Sequence, residues 1–159
     1  MAIPVTTFDL VRTSRFRTVY ELRDEREATI ASLRIGGGGA RVAVVGEIEA
    51  EGRGWDLRRA PRQRGLEALG ADEAVELRCA GDRIELATLG RPLRWRRRTG
   101  GSAYGSLSLA HPVDPCLDAA WATLHPRRQT APGYAVTVAG ALPEPELVLL
   151  SAAYDLLRG

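Results

Sequence analysis

The C-terminal stretch, 143–159, is the one part of the chain that is almost continuously apolar. Prolines and glutamates stand at its start, and an arginine and a glycine stand at its end, an order typical of α-helix boundaries. At 3.6 residues per turn, apolar side chains point in nearly every direction, and only Ser151 and Asp155 form a polar strip. A helix of this kind must be enclosed by the rest of the protein. We therefore predict a buried central helix over 144–158.

This helix is too short to cross a membrane. From Leu147 to Leu157 it would rise about 16 Å, roughly half the hydrocarbon thickness of a bilayer. The first residues, 1–5, also lack the basic and long apolar regions of a signal peptide. We therefore expect a cytoplasmic protein with no transmembrane segment.

Most of the remaining chain alternates between apolar and polar residues over short runs, the pattern of β-strands with one buried face. The clearest case is a hairpin over 75–88 with a turn at 80–82. Between 60 and 72 we expect irregular chain, with Leu66 and Leu69 on a short helical turn. In all, the sequence predicts about nine to eleven strands.

The segment 111–126 fits two structures. Asp114 and Pro115 are typical of a helix start, and the apolar residues after them recur at helical spacing. The stretch 119–123 also alternates, with Trp121 at its centre, which is the pattern of a strand. The residues alone do not choose between the two.

The apolar helix also constrains the sheet around it. Fully burying the large apolar side chains of 147–157 would contribute roughly 10–20 kcal/mol, and a sheet on one side would bury only half of them. A closed barrel would bury them all and would remove exposed strand edges. We predict a single mainly β domain over 1–159, an antiparallel barrel or strongly curled sheet over 5–140 wrapped around the C-terminal helix.

Composition excludes several kinds of chemistry. All 22 basic residues are arginine, and with 20 acidic residues they give a net charge of +2, too small by itself to imply a nucleic-acid or membrane partner. A chain without lysine has no Schiff-base or phosphate-loop lysine. His111 and His125 have no companion ligands at metal-binding spacing, so we predict no metal and no cofactor. Cys79 and Cys116 are far apart, and we predict a buried free thiol at Cys79.

The densest basic cluster is the candidate site. Arg94, Arg96 and Arg98 would project from one face of a strand at about 7 Å intervals, with Leu93 and Trp95 on the other face. Guanidinium groups spaced in this way can hold a phosphate or carboxylate. The alternative is a solvated face balanced by cross-strand acids such as Glu85.

Asp155 is the other residue that demands an explanation. A carboxylate within a buried helix must be paired, hydrogen-bonded or neutral. Its partner would be Arg158 or an arginine at the barrel rim. Alternatively, position 155 lies at the barrel mouth and meets water.

A curled antiparallel sheet that ends in an apolar helix resembles the tubby-like superfamily, above all its plant and bacterial LURP-one-related branch and, more distantly, the phospholipid scramblases. The segments that carry the resemblance are Tyr20–Asp24, Ala28–Leu33, Leu93–Trp95 and Tyr134–Leu157. The resemblance implies a twelve-stranded barrel around a central helix, from which a helix over 114–124 would depart. Tubby proteins bind phosphoinositides through basic residues on the barrel. The LURP-one-related branch implies no activity that can be assigned to residues of this chain.

Three functions follow as hypotheses. The first is a non-enzymatic binding module for anionic lipid or another phosphorylated ligand at the face formed by Arg94, Arg96 and Arg98. The second is a protein-interaction or scaffold protein, including a homodimer formed through a strand edge or through 114–124. The third is an enzyme whose site is assembled in space, for which the sequence contains no motif.

Overall fold

The computed structural model describes residues 5–14, 16–36, 44–60, 65–98, 104–110, 118–126 and 133–158. Within them run twelve strands, a 3₁₀ turn at Ala71–Glu73 and one α-helix. The strands are β1 (Val5–Arg12), β2 (Thr18–Arg23), β3 (Thr29–Ile35), β4 (Val44–Ala50), β5 (Arg53–Arg59), β6 (Gly65–Leu69), β7 (Val75–Ala80), β8 (Arg83–Leu86), β9 (Leu93–Arg98), β10 (Tyr104–Ala110), β11 (Asp118–Pro126) and β12 (Gly133–Gly140), and the helix is α1 (Pro145–Arg158).

The strands form a closed barrel in which each pairs with its neighbours in sequence, and β1 pairs with β12 to complete the ring. All twelve pairings are antiparallel. The predicted fold class, a mainly β antiparallel barrel around a C-terminal helix, is confirmed. The structure has more strands than the nine to eleven that the alternation predicted.

The helix fills the barrel. Each of the seven consecutive residues from Leu147 to Ala153 is at most 1% exposed. Because seven residues cover nearly two turns, every side of the helix is covered, as its apolar circumference predicted. Within the described residues no helix is long and apolar enough to cross a membrane.

The prediction of irregular chain with a helical turn between 60 and 72 was wrong for 65–69. These residues form β6, in which Leu66 and Ala68 pack in the core. The pairing with β7 shifts register between Ala68 and Leu69, so the apolar residues do not keep a simple alternation. In this irregular strand, Leu66 and Leu69 are three residues apart, a spacing that is also typical of a helix.

Two other predictions concerned element boundaries. Residues 118–126 are a strand, β11, which decides that part of the ambiguous segment against a helix; 111–117 lie outside the described residues. The predicted hairpin is present as β7 and β8, although β8 ends at Leu86, two residues before the alternation ends.

Because neighbouring strands alternate in direction, their connections alternate between two ends of the barrel. We call the end where α1 begins the lower end and the end where it finishes the upper end. At the lower end Arg53 lies over the ring of Trp55, 4.6 Å from its centre, and donates hydrogen bonds to Glu76 and Glu144 at 3.2 Å. Trp55 Nε1 also donates to Glu76, at 2.8 Å. These contacts fasten the segment that leads into α1 to the barrel wall.

Candidate anion-binding site

Strand β9 presents two of the predicted arginines, Arg94 and Arg96, to solvent. Leu93 and Trp95 are 0% and 1% exposed and face the core, whereas Arg94 and Arg96 are exposed on the outer face. The inward residues thus anchor the strand, and the alternation of β-structure turns the arginines outward, as predicted. Arg98 is the last residue of β9, and its side chain lies outside the description.

The neighbour of Arg94 across β8 is a further arginine. Arg83 lies directly opposite Arg94 in the antiparallel register, and the backbone N–H of Trp95 donates to the Asp82 carbonyl at 2.7 Å. Glu85, expected to balance the arginine face, lies opposite Arg78 instead. Arg83, and not Glu85, is therefore the direct cross-strand neighbour of Arg94, because the register between β8 and β9 places Glu85 two residues further along β8.

These arginines line a groove, which we call the arginine groove: Arg83, Arg91, Arg94 and Arg96. The groove has a volume of about 470 Å³, and Pro92 and Leu93 form its apolar lining. Asp82 is the one acidic residue that lines it within the described part of the chain. A groove of this composition has a strong excess of positive charge.

The arginines of the groove have no ion-pair partner among the described residues, which is also true of Arg12, Arg17, Arg26 and Arg59. Six arginines elsewhere contact a carboxylate at 2.9–3.6 Å: Arg23, Arg34, Arg53, Arg58, Arg78 and Arg97. Like charges directly opposite each other on a sheet are destabilising, and an anion between them would relieve that repulsion.

The spacing of the groove suits a phosphorylated ligand. Arg94 and Arg96 are two residues apart on one strand, about 7 Å, and Arg83 is on the adjacent strand, about 5 Å away. Each guanidinium can donate two parallel hydrogen bonds to phosphate oxygens. On the other side of β9, the half-buried Ser106 lies opposite Arg96 and carries a hydroxyl donor.

Arg97 has a different role from its neighbours in β9. Its Nη1 donates to Asp155 Oδ2 and to the Asp155 backbone carbonyl, both at 2.9 Å. Trp95 Nε1 donates to the same Oδ2 at 2.7 Å. Asp155 is therefore paired with an arginine of the barrel rim, and the last turns of α1 are tied to the strand that carries the arginine groove.

Cys79 lies near this pair but is not a reactive group. It is a free, buried cysteine, as predicted. Burial raises its pKa to about 12, the Asp155 carboxylate adds to the shift, and Arg97 opposes it. A thiol with this pKa is protonated at neutral pH and is a poor nucleophile.

Sequence reasoning missed Arg83 and Arg91. The position of Arg83 opposite Arg94 depends on the register between β8 and β9, which the alternation of either strand does not fix. Arg91 precedes Pro92 in the connection and has no periodic pattern around it. The one available signal was that Arg83 and Arg94 flank the same connection.

Comparisons of the chain with protein-family models, with curated proteins and with solved structures give no significant match. The tubby-like resemblance therefore stays a prediction. The candidate site is supported by its own geometry.

Proposed function

We propose that this protein is a non-enzymatic, cytoplasmic binding module that holds a phosphorylated anion in the arginine groove. The observation that carries the proposal is the convergence on one groove of four arginines that form no salt bridge within the described residues. The ligand chemistry is a phosphate group, supplied by an anionic lipid headgroup or by a soluble phosphorylated molecule.

Arg94→Glu tests the proposal. Losing a hydrogen bond to a charged group costs about 1.5–3 kcal/mol, so we expect the affinity for inorganic tripolyphosphate to fall at least about ten-fold. Calorimetric titration with tripolyphosphate, and sedimentation with vesicles that contain phosphatidylserine, separate a soluble source of phosphate from a lipid source. Binding should weaken as salt is raised, because the contacts are between exposed charges.

The matched control is Arg26→Glu, the same change of charge at an exposed position away from the groove. Arg94→Glu should also keep the fold, since it places a carboxylate opposite Arg83 and removes a repulsion. Equal losses in both variants would show that the effect is one of net charge and would overturn the groove as the site. Wild-type protein that binds neither probe at low salt would overturn the function.

For the alternative function, a protein-interaction or scaffold protein, the barrel lacks one of the binding surfaces that the sequence suggested, an open strand edge in the described strands. Every strand of the closed barrel pairs on both sides, so the described strands offer no open edge for a second copy. The segment 118–126 is itself enclosed between β10 and β12. A partner protein would have to bind the outer face or an end of the barrel.

A further inference from the structure

A second surface, which shares Asp82 and Arg83 with the arginine groove, is defined by Phe16 at the upper end of the barrel. Phe16 is 99% exposed in the connection between β1 and β2. The turn that carries it is held by hydrogen bonds: the Ser14 hydroxyl accepts from the backbone N–H groups of Phe16 and Arg17, at 3.3 and 3.1 Å. The Thr13 N–H also donates to the Val19 carbonyl at 3.0 Å. These contacts hold a large apolar ring outside the protein.

Among the described residues, the other exposed large apolar side chain is Val5, at 56%. Val5 begins β1 and so lies at the lower end, whereas Phe16 follows the end of the same strand. The two exposed apolar side chains therefore mark opposite ends of the barrel. A substitution at Val5 can therefore serve as the control for the same substitution at Phe16, because it changes an exposed apolar side chain at the other end.

The two ends also carry opposite charge. The difference holds for the residues between strands and at strand ends whose side chains the structure describes. At the upper end four arginines stand against one aspartate: Arg12, Arg17, Arg59, Arg83 and Asp82. At the lower end seven carboxylates stand against four arginines: Asp24, Glu25, Glu27, Glu51, Asp72, Glu73, Glu144, Arg23, Arg26, Arg53 and Arg91.

We infer that the upper end docks on an anionic membrane surface, with Phe16 inserted among the lipid headgroups and the upper-end arginines over the phosphates. An exposed aromatic ring and nearby arginines supply two attractions, apolar burial and charge, that together hold a protein at a lipid surface. The carboxylates of the lower end are repelled by the same surface, so the barrel has one preferred orientation. The inference rests on the proposed function in one respect: the phosphate in the arginine groove would be a lipid headgroup.

A membrane accounts for more of these observations than a polyanion in solution. An acidic protein would explain the arginines but not the exposed ring. Single-stranded nucleic acid stacks successive bases on several aromatic rings, whereas Phe16 is the one exposed large aromatic side chain among the described residues. Burying a phenylalanine ring in a lipid interface changes partition by about ten-fold or more. Each arginine near an anionic leaflet adds roughly five-fold.

The first experiment compares wild type, Phe16→Ser and Val5→Ser in sedimentation with vesicles of phosphatidylcholine alone and mixed with phosphatidylserine. We expect Phe16→Ser to lose about ten-fold in partition to the anionic vesicles and Val5→Ser to match wild type. Because Phe16 is 99% exposed, its replacement should leave thermal unfolding unchanged, so a loss of binding reports on contact with lipid. Equal binding by Phe16→Ser and wild type would overturn the inference.

A second experiment locates the ring. In Phe16→Trp, tryptophan emission above the wild-type background should shift to the blue on addition of anionic vesicles and should be quenched by brominated lipid. Val5→Trp should show neither change. An unshifted spectrum for Phe16→Trp with vesicle-bound protein would mean that another surface makes the contact.

Failure of this inference and failure of the proposed function give different results. If wild type binds tripolyphosphate but no vesicles, the groove stands and the membrane inference falls. If it binds neither, both fall. If it binds a single-stranded oligonucleotide more tightly than anionic vesicles at the same salt, the upper end is a nucleic-acid surface and the membrane inference is overturned. Phe16→Ser itself should leave the affinity for tripolyphosphate unchanged, since Phe16 does not line the groove.

Discussion

Replacing Leu149 with aspartate is the most direct test of the enclosed helix. Leu149 is 1% exposed, and the residues from Leu147 to Ala153 around it are no more exposed than that. A short side chain at this position has no path to water. The substitution therefore puts a carboxylate into the apolar centre of the barrel.

The expected cost can be worked out from burial. Losing the leucine contacts alone costs about 2–5 kcal/mol, the range for replacement of a buried leucine by alanine. Desolvating the carboxylate adds several kcal/mol more. The two terms together reach the net stability of an ordinary domain, about 5–15 kcal/mol. We expect Leu149→Asp to be unfolded or molten, and Leu149→Ala to fold with about 2–5 kcal/mol less stability.

Urea unfolding, followed by circular dichroism and tryptophan fluorescence, measures both variants. Leu157→Asp is the control, because Leu157 is only half-buried near the upper end and an aspartate there can reach water. The reasoning would be refuted by a cooperative unfolding transition for Leu149→Asp within about 1 kcal/mol of wild type.

Two further predictions concern the upper end. Arg97→Gln should lower the free energy of unfolding by about 1 kcal/mol, because it removes the cation that pairs with Asp155, whose side chain is 24% exposed and partly screened by water. Arg97→Lys should recover part of the loss. Equal urea midpoints for all three proteins would contradict the pairing. Burial raises the pKa of Cys79 from 9.0 to about 12, so the folded state binds this proton more tightly than the unfolded chain does. Stability should therefore fall as the pH rises above 9, by up to about 1.4 kcal/mol per pH unit. Cys79→Ala should reduce this slope without abolishing it, because burial also raises the pKa of Tyr134, and identical slopes would contradict the prediction.

The barrel and its helix were predictable because one physical requirement, the burial of the apolar helix, determines both. An apolar circumference over 147–157 requires cover on every side, and short alternating strands supply cover only when the sheet closes. The outward direction of Arg94 and Arg96 was predictable for a similar reason, since Leu93 and Trp95 between and beside them are apolar. In each case the burial of apolar groups decides the geometry.

Strand β6 was missed because a charged residue in it is not exposed. Glu67 is 3% exposed, with its carboxylate 3.0 Å from Arg78 Nη2 and 3.4 Å from Arg58 Nε. The two arginines are its direct neighbours across the sheet. Since Glu67 is buried by its pairing with arginines of the two flanking strands, β5 and β7, the residues of β6 itself give no signal of it.

The net charge of +2 does not describe the charge at either end of the barrel. In an antiparallel barrel, successive connections lie at alternate ends. A chain whose connections alternate between basic and acidic composition therefore places its positive charge at one end of the barrel and its negative charge at the other. An eight-residue strand such as β1 is about 27 Å long, or about 20 Å along the axis of a barrel whose strands tilt by roughly 40°. The Debye length at physiological salt is about 8 Å, so a surface at one end is largely screened from the charge at the other. A partner at the upper end therefore meets the arginines there, and the compensating carboxylates of the lower end reduce its attraction only slightly.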